Sequence, residues 1–198
     1  PTLRGPSAPG KQVVILIDHS GSMNATDVSP NRLARAKELA LQLVSNLGGA
    51  QLPGQVSAGG AEAGREAVAG AMVLSFAKQA QVMQPMTADL GLLRAAIDSI
   101  APTDEVGRLT PALQLAEPFA LGESASGPGK GVIVYVFSDG AVEDHTDLSL
   151  RGAEVRFVRI GQSDKFPDNV GIVSLAARRD TQDASRVQIL AKIGRAHV

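Results

Sequence analysis

Asp18, Ser20 and Ser22 place a carboxylate and two hydroxyls on alternate residues, directly after the apolar run Val13-Val14-Ile15-Leu16-Ile17. Oxygen donors of this kind suit a hard divalent cation. Mg2+ takes near-octahedral oxygen ligands at about 2.0–2.1 Å and keeps several waters rather than filling an all-protein cage. Gly21 loosens the turn, so the three oxygens can converge from one side. A second carboxylate follows far downstream in the same setting: Val132 to Phe137 is another unbroken apolar run, and it ends in Ser138-Asp139-Gly140. If the two runs are neighbouring strands, both carboxylates overhang one crevice. In open α/β sheets that crevice, beyond the carboxyl ends of the strands, is where ligands bind.

Two other chemistries compete for these residues. A strand ending in an aspartate also opens haloacid-dehalogenase-like phosphatases, which use Mg2+. That reaction wants a second carboxylate two residues on as general acid, and Ser20 occupies the position, so a binding site rather than an enzyme is the reading adopted. In the plainer alternative, Ser20 and Ser22 satisfy loop backbone groups and Asp18 caps the strand end, with no metal. His19, between the alternating oxygen donors, is read as a variable loop residue rather than a ligand. Glu143, Asp144, His145 and Asp147 read as a solvated rim.

The elements that position these groups follow from periodicity. The two apolar runs are β-branched and lack polar alternation, as expected of parallel strands covered on both faces. After the Asp18 loop, Ser29 is the expected N-cap and Pro30 the first helical position, with Leu33, Ala36, Ala40, Leu43, Val44 and Leu47 at helical spacing. Ala71–Ala77 and Gln81–Met86 predict a hairpin around Lys78-Gln79, adding an antiparallel edge. Thr87 is expected to cap a helix ending before Pro102, and Thr110-Pro111 to open another. Glu154–Ile160 reads as a further strand.

The expected class is α/β, a doubly wound, Rossmann-like, mostly parallel sheet. Residues 1–10 read as a linker, 11–161 as the domain and 48–70 as a flexible insertion within it. Residues 168–192 read as the start of a truncated β-rich module, because strand-like segments at Val170 and Val187 are not separated from Ile160 by a helix. Residues 193–198 (IGRAHV) resemble a translated sequencing adapter and are set aside from the fold.

Bulk properties narrow the function classes. Over 198 residues the net charge is −1, with no long Lys/Arg block, so nucleic acid is not an expected partner. The absence of cysteine removes thiol catalysis, disulfides and Cys-based metal clusters. No apolar stretch approaches the roughly 20 residues that span a bilayer. The start at Pro1 reads as a piece cut from a longer chain.

The strand-Asp18-His19-Ser20-Gly21-Ser22 motif, followed by strand-Ser138-Asp139-Gly140, resembles the metal-ion-dependent adhesion site of von Willebrand factor A domains, over roughly residues 11 to 161. The resemblance implies that Asp18, Ser20 and Ser22 are first-loop ligands to Mg2+ or Mn2+, directly or through water, that Asp139 is the third-loop carboxylate, and that a protein partner's Asp or Glu completes the coordination. The family's second loop supplies a threonine before a helix with an Ala-Leu pair. Here Ala112-Leu113 aligns Gly107 with that threonine, a departure that admits a structural domain with a degenerate site. Thr103 and Thr110 are the candidate substitutes. The segment from Asp168 to Ile189 further resembles membrane-anchored bacterial proteins of the aerotolerance type, which implies membrane association through segments outside these residues.

Overall fold

The structure, a computed structural model, describes residues 11–47, 68–121, 131–144, 150–161, 170–179, 183 and 185–195. Because Val13 to Ile17 offer no polar face, β1 (Lys11–Asp18) needs an apolar layer on either side, and it lies at the centre of a five-stranded sheet of order β3-β2-β1-β4-β5. The other strands are β2 (Val68–Phe76), β3 (Ala80–Thr87), β4 (Val132–Ser138) and β5 (Ala153–Arg159). β1 pairs in parallel with β2 and β4, and β4 with β5. Only β3 runs antiparallel, against β2. This is the expected mostly parallel α/β sheet with one antiparallel edge.

Strand alternation sorts β1 into two cores. Val13, Ile15 and Ile17 pack with Leu33 and Ala36 of α1 (Arg32–Leu47) and with Leu93 and Ile97 of α2 (Leu90–Ser99). Val14 and Leu16 pack with Ala112, Leu113 and Ala116 of α3 (Thr110–Leu121). Each buried valine, leucine or isoleucine among them stabilises by about 1.5–3 kcal/mol relative to exposure, so the strand that carries Asp18 is anchored on both faces.

The helix starts differ from the sequence expectation. α1 begins at Arg32, and Asn31 Oδ1 accepts the Ala34 N–H at 2.8 Å, so Asn31 takes the capping role expected of Ser29. α2 is capped by Asp89, whose Oδ1 accepts from the Gly91 and Leu92 N–H groups at 2.7 and 3.3 Å, while Thr87 Oγ1 accepts the Asp89 N–H instead. Asp89 stands directly before Leu90 with extended backbone angles, where the chain turns into the helix, and its carboxylate suits the helix's positive end.

The chain divides after Gly161 into two units. In the second, β6 (Val170–Arg179) and β7 (Val187–Arg195) form a two-stranded antiparallel sheet of their own. Ile193, Gly194 and Arg195, set aside in the sequence reading, pair with Ile172, Gly171 and Val170. The register gathers Ile172, Leu175, Val187, Ile189 and Ile193 on one exposed face. Residues 1–10 and 48–67, with His145, Asp147 and His197, lie outside the described residues, whereas 68–70 open β2. Among the described residues no helix is long and apolar enough to cross a membrane.

Candidate metal site at the ends of β1 and β4

The in-register pairing Ile17↔Phe137 brings the last residues of the two central strands, Asp18 and Ser138, side by side. Ser138 Oγ donates to Asp18 Oδ2 at 2.6 Å, and the Ser20 N–H donates to Asp18 Oδ1 at 2.9 Å. Asp18 is fully buried. That burial pushes its carboxyl above the usual carboxylate range; the bonds from Ser138 and Ser20 work against the shift, and the charge of Asp139 adds to it. Among the described residues, the hydrogen bonds to Asp18 come from neutral donors alone. Among the described residues, no charged side chain hydrogen-bonds this buried carboxylate.

Beyond Asp18 the chain turns through a short 3-10 segment, Gly21–Asn24, pinned by the fully buried Met23. The turn sets Ser20 Oγ and Ser22 Oγ 3.3 Å apart. Adjacent oxygens around an octahedral Mg2+ stand about 3 Å apart, so the two hydroxyls have nearly the spacing of neighbouring ligands. The second loop knits onto the first: Gly21 N–H donates to Glu105 O at 2.8 Å, and Asn24 Nδ2 donates to Thr103 O at 3.0 Å. His19, at the loop start, contacts Ala101 O through Nδ1 at 2.9 Å.

The two substitute hydroxyls have hydrogen-bond partners of their own. Thr103 Oγ1 donates to His19 O at 3.1 Å and accepts the Glu105 N–H, so it fastens the loop. Thr110 sits at the start of α3, where its N–H and that of Leu109 meet the Asp144 carboxylate at 2.6 and 2.7 Å and its side chain bonds the same group. Asp144, expected on a solvated rim, is the cap of α3. Gly107 faces Ser20: a β-carbon built on it would lie 3.2 Å from Ser20 Oγ, 3.2 Å from Ala141 O and 3.3 Å from Val142 Cγ1. The glycine is held against the Asp139 loop by a parallel bridge to Val142 and by the Glu143 N–H on its carbonyl at 2.9 Å.

Asp139, nearly buried, accepts the Ala141 N–H on Oδ1 at 2.9 Å. Its other oxygen is taken by a residue the sequence reading missed: Arg32 Nη1 donates to Asp139 Oδ2 at 2.6 Å. The same guanidinium engages Asp27 through Nε at 2.7 Å and Nη2 at 3.2 Å, and reaches Ser22 O at 3.4 Å. Burial disfavours the arginine's charge, but the two aspartates outweigh it and raise its pKa further. The sequence held a signal, since Arg32 continues the i, i+4 row of Ala36, Ala40 and Val44 onto the buried face of α1. Gly161, with φ +102°, makes room for this pair: its β-carbon would stand 3.0 Å from Arg32 Nε and 3.1 Å from Asp27 Oδ2.

The donor set fits a hard cation bound through Asp18, Ser20 and Ser22, with Asp139 shared with Arg32. Among the described residues no group of three or more His, Cys, Asp or Glu side chains is gathered to hold a metal, so such an ion would depend on hydroxyls and water as much as on carboxylates.

Residues 13–141 match the von Willebrand factor type A domain family. A UPF0353 protein of Mycolicibacterium paratuberculosis is 30% identical over an alignment of 132 residues that covers 65% of this chain and 34% of that protein. The chain thus spans about a third of that curated relative. Among solved structures, an aerotolerance-related membrane protein from Bacteroides fragilis is similar with a TM-score of 0.55 and 23% identity, over 92% of this chain and 82% of that one. The conserved hypothetical protein BatB from Bacteroides thetaiotaomicron aligns with a TM-score of 0.57 and 21% identity, over 94% and 80%. Proximal thread matrix protein 1 from the mussel byssus, with a zinc-occupied MIDAS motif, aligns with a TM-score of 0.52 and 16% identity, over 75% and 37%. At these identities the three likenesses show the fold.

Proposed function

The chain belongs to the von Willebrand factor type A domain family, and we propose that it is a protein-binding module whose partner is captured through Mg2+ or Mn2+ held by Asp18, Ser20 and Ser22, with Asp139 closing the site and a partner's Asp or Glu completing the coordination. Domains of this family are generally metal-dependent interaction modules rather than enzymes. The observation that carries the reading is the pairing of the buried Asp18 with two hydroxyls 3.3 Å apart on one short turn. A divalent ion there offsets the buried carboxylate, and the few charged donors leave it electrophilic enough to accept a partner's carboxylate. The all-oxygen set favours Mg2+ or Mn2+, although a site of the same kind carries zinc in the mussel protein.

Likeness to the Bacteroides fragilis membrane protein supports a role at a bacterial membrane, reached through segments outside these residues. Gly107, which leaves the second loop without a side chain beside Ser20, favours a second reading: a domain of this family whose cation site has weakened to a structural remnant.

Calorimetric titration of metal-stripped protein with MgCl2 and MnCl2 tests the reading. Saturable binding near one ion per chain, lost in Asp18→Ala, is expected. Absence of heat with both ions, together with unchanged thermal stability on adding either, would refute the site and leave the second reading.

A further inference from the structure

Arg32 is an unexpected occupant of its position. It opens α1, where the helix dipole disfavours a cation, and it is nearly buried, where its charge must be compensated. What compensates it is divided. Asp27 takes Nε and Nη2, the two-pronged edge of the guanidinium, while Nη1 alone reaches Asp139 Oδ2 at 2.6 Å. Gly161 lies against the Arg32–Asp27 pair at distances that a β-carbon would crowd, so the backbone at the end of β5 is shaped around that pair. The arginine therefore has a two-bond anchor in Asp27 and a single detachable bond to the carboxylate expected to close the metal site.

Resting on the metal-site reading above, we propose that Arg32 is the site's resident counter-cation: it competes with the divalent ion for Asp139, so that metal binding releases the Arg32–Asp139 bond while Asp27 retains the arginine. Two positive groups drawn to one carboxylate repel one another and share its lone pairs, so the arginine lowers divalent affinity and Asp139 is free for the ion only when Nη1 lets go. Arg32 is thus a positioning residue that sets the metal concentration at which the module can engage a carboxylate partner. Because Nη1 also leans on Ser22 O at 3.4 Å, the exchange is felt in the turn that carries the Ser20 and Ser22 hydroxyls.

The test is calorimetric titration of metal-stripped wild type and Arg32→Gln with MgCl2 and MnCl2, alongside thermal melts in chelator. Arg32→Gln is expected to bind at least about tenfold more tightly while melting at a lower temperature without metal, because the buried Asp139 and the half-buried Asp27 both lose the guanidinium's charge. If the arginine's role were merely structural, its replacement would lower both stability and affinity. Should Arg32→Gln fold poorly, 15N NMR of the wild-type Arg32 guanidinium during MgCl2 titration gives the same answer: its resonances are expected to shift in step with occupancy, and resonances unmoved at saturation would overturn the exchange. Metal binding by wild type with equal or weaker binding by Arg32→Gln overturns the inference and leaves the metal site standing. Binding by Arg32→Gln alone supports it in its strongest form. Silence from both proteins removes the metal site and the inference together.

Discussion

Ser138 Oγ donates a 2.6 Å hydrogen bond to Asp18 Oδ2, joining the last side chain of β4 to the last side chain of β1. The same Oγ accepts the Gly140 N–H at 3.0 Å, so one hydroxyl aligns the strand end that carries Asp18 with the loop that carries Asp139. Two loops separated by more than a hundred residues of sequence are thereby set against each other by the register of the central strands.

Removing the Asp18 charge while keeping its shape is expected to act with opposite signs in the absence and presence of metal. Burial raises the folded-state pKa of this carboxyl above its unfolded value, so its contribution to stability is fully present at low pH and is lost as pH rises through the folded pKa. In its ionised form the group therefore disfavours the metal-free fold. Asp18→Asn should raise the melting temperature in chelator and abolish the rise produced by MgCl2. A lower melting temperature in chelator would mean that the ionised carboxylate stabilises the empty site.

Gly107 leaves the wall beside Ser20 bare. Gly107→Thr inserts a β-carbon 3.2 Å from Ser20 Oγ and from Ala141 O, closer than ordinary van der Waals contact, so the Ala141–Val142 backbone must give by a few tenths of an ångström. Such crowding costs about 1–3 kcal/mol of metal-free stability. The added hydroxyl gives the ion one more oxygen, and Mg2+ affinity is expected to rise by about tenfold, equivalent to about 1.4 kcal/mol. Denaturant melts in chelator and calorimetry measure the two effects separately; an unchanged affinity would show that the second loop does not face the ion.

Asp144 makes a different prediction, one that leaves the metal aside. Burial alone would raise its pKa, but hydrogen bonds from the Thr110 side chain and from the Leu109 and Thr110 N–H groups outweigh burial and hold the carboxyl below its ordinary range. A depressed folded pKa gives stability that is fully present above the unfolded value, about 3.9, and lost as pH falls through the folded one. Asp144→Ala removes the cap of α3 and is expected to cost about 1 kcal/mol at pH 7. Denaturant titrations across pH should show that deficit constant between pH 7 and 5 and shrinking below about pH 4.

The sequence made the two aspartate-ended strands legible because both announce themselves locally. An unbroken β-branched run specifies a strand covered on both faces, and the Asp18, Ser20 and Ser22 spacing lies within one turn. Gly107 was legible through the Ala112-Leu113 pair that anchors its helix. The Arg32–Asp139 bond was not, because it joins residues 107 apart whose meeting depends on the tilt of α1 over the sheet end. The same limit explains the helix caps. Ser29 and Thr87 are competent caps by type, but Asn31 and Asp89 lie where the backbone turns, and α3 takes its cap from Asp144, 34 residues beyond Thr110. Local propensity names the residue types that can cap a helix, and tertiary placement selects among them.

Gly161 and Gly140 allow the packing around Arg32 to be separated from backbone strain. Both have positive φ, +102° and +86°, so an alanine at either is strained by about 1–2 kcal/mol. They differ in what the new methyl meets. At Gly140 the nearest atom is Phe157 Cζ at 3.9 Å, an ordinary contact, whereas at Gly161 the methyl stands 3.0 Å from Arg32 Nε and 3.1 Å from Asp27 Oδ2. Gly140→Ala is therefore expected to lose the strain alone, and Gly161→Ala the strain plus the displacement of a nearly buried ion pair, a further loss of about 1–3 kcal/mol. Denaturant unfolding of the two variants in chelator measures the difference. Equal losses would mean that the Arg32–Asp27 pair yields freely to a methyl, and that the arginine is not anchored at the end of β5.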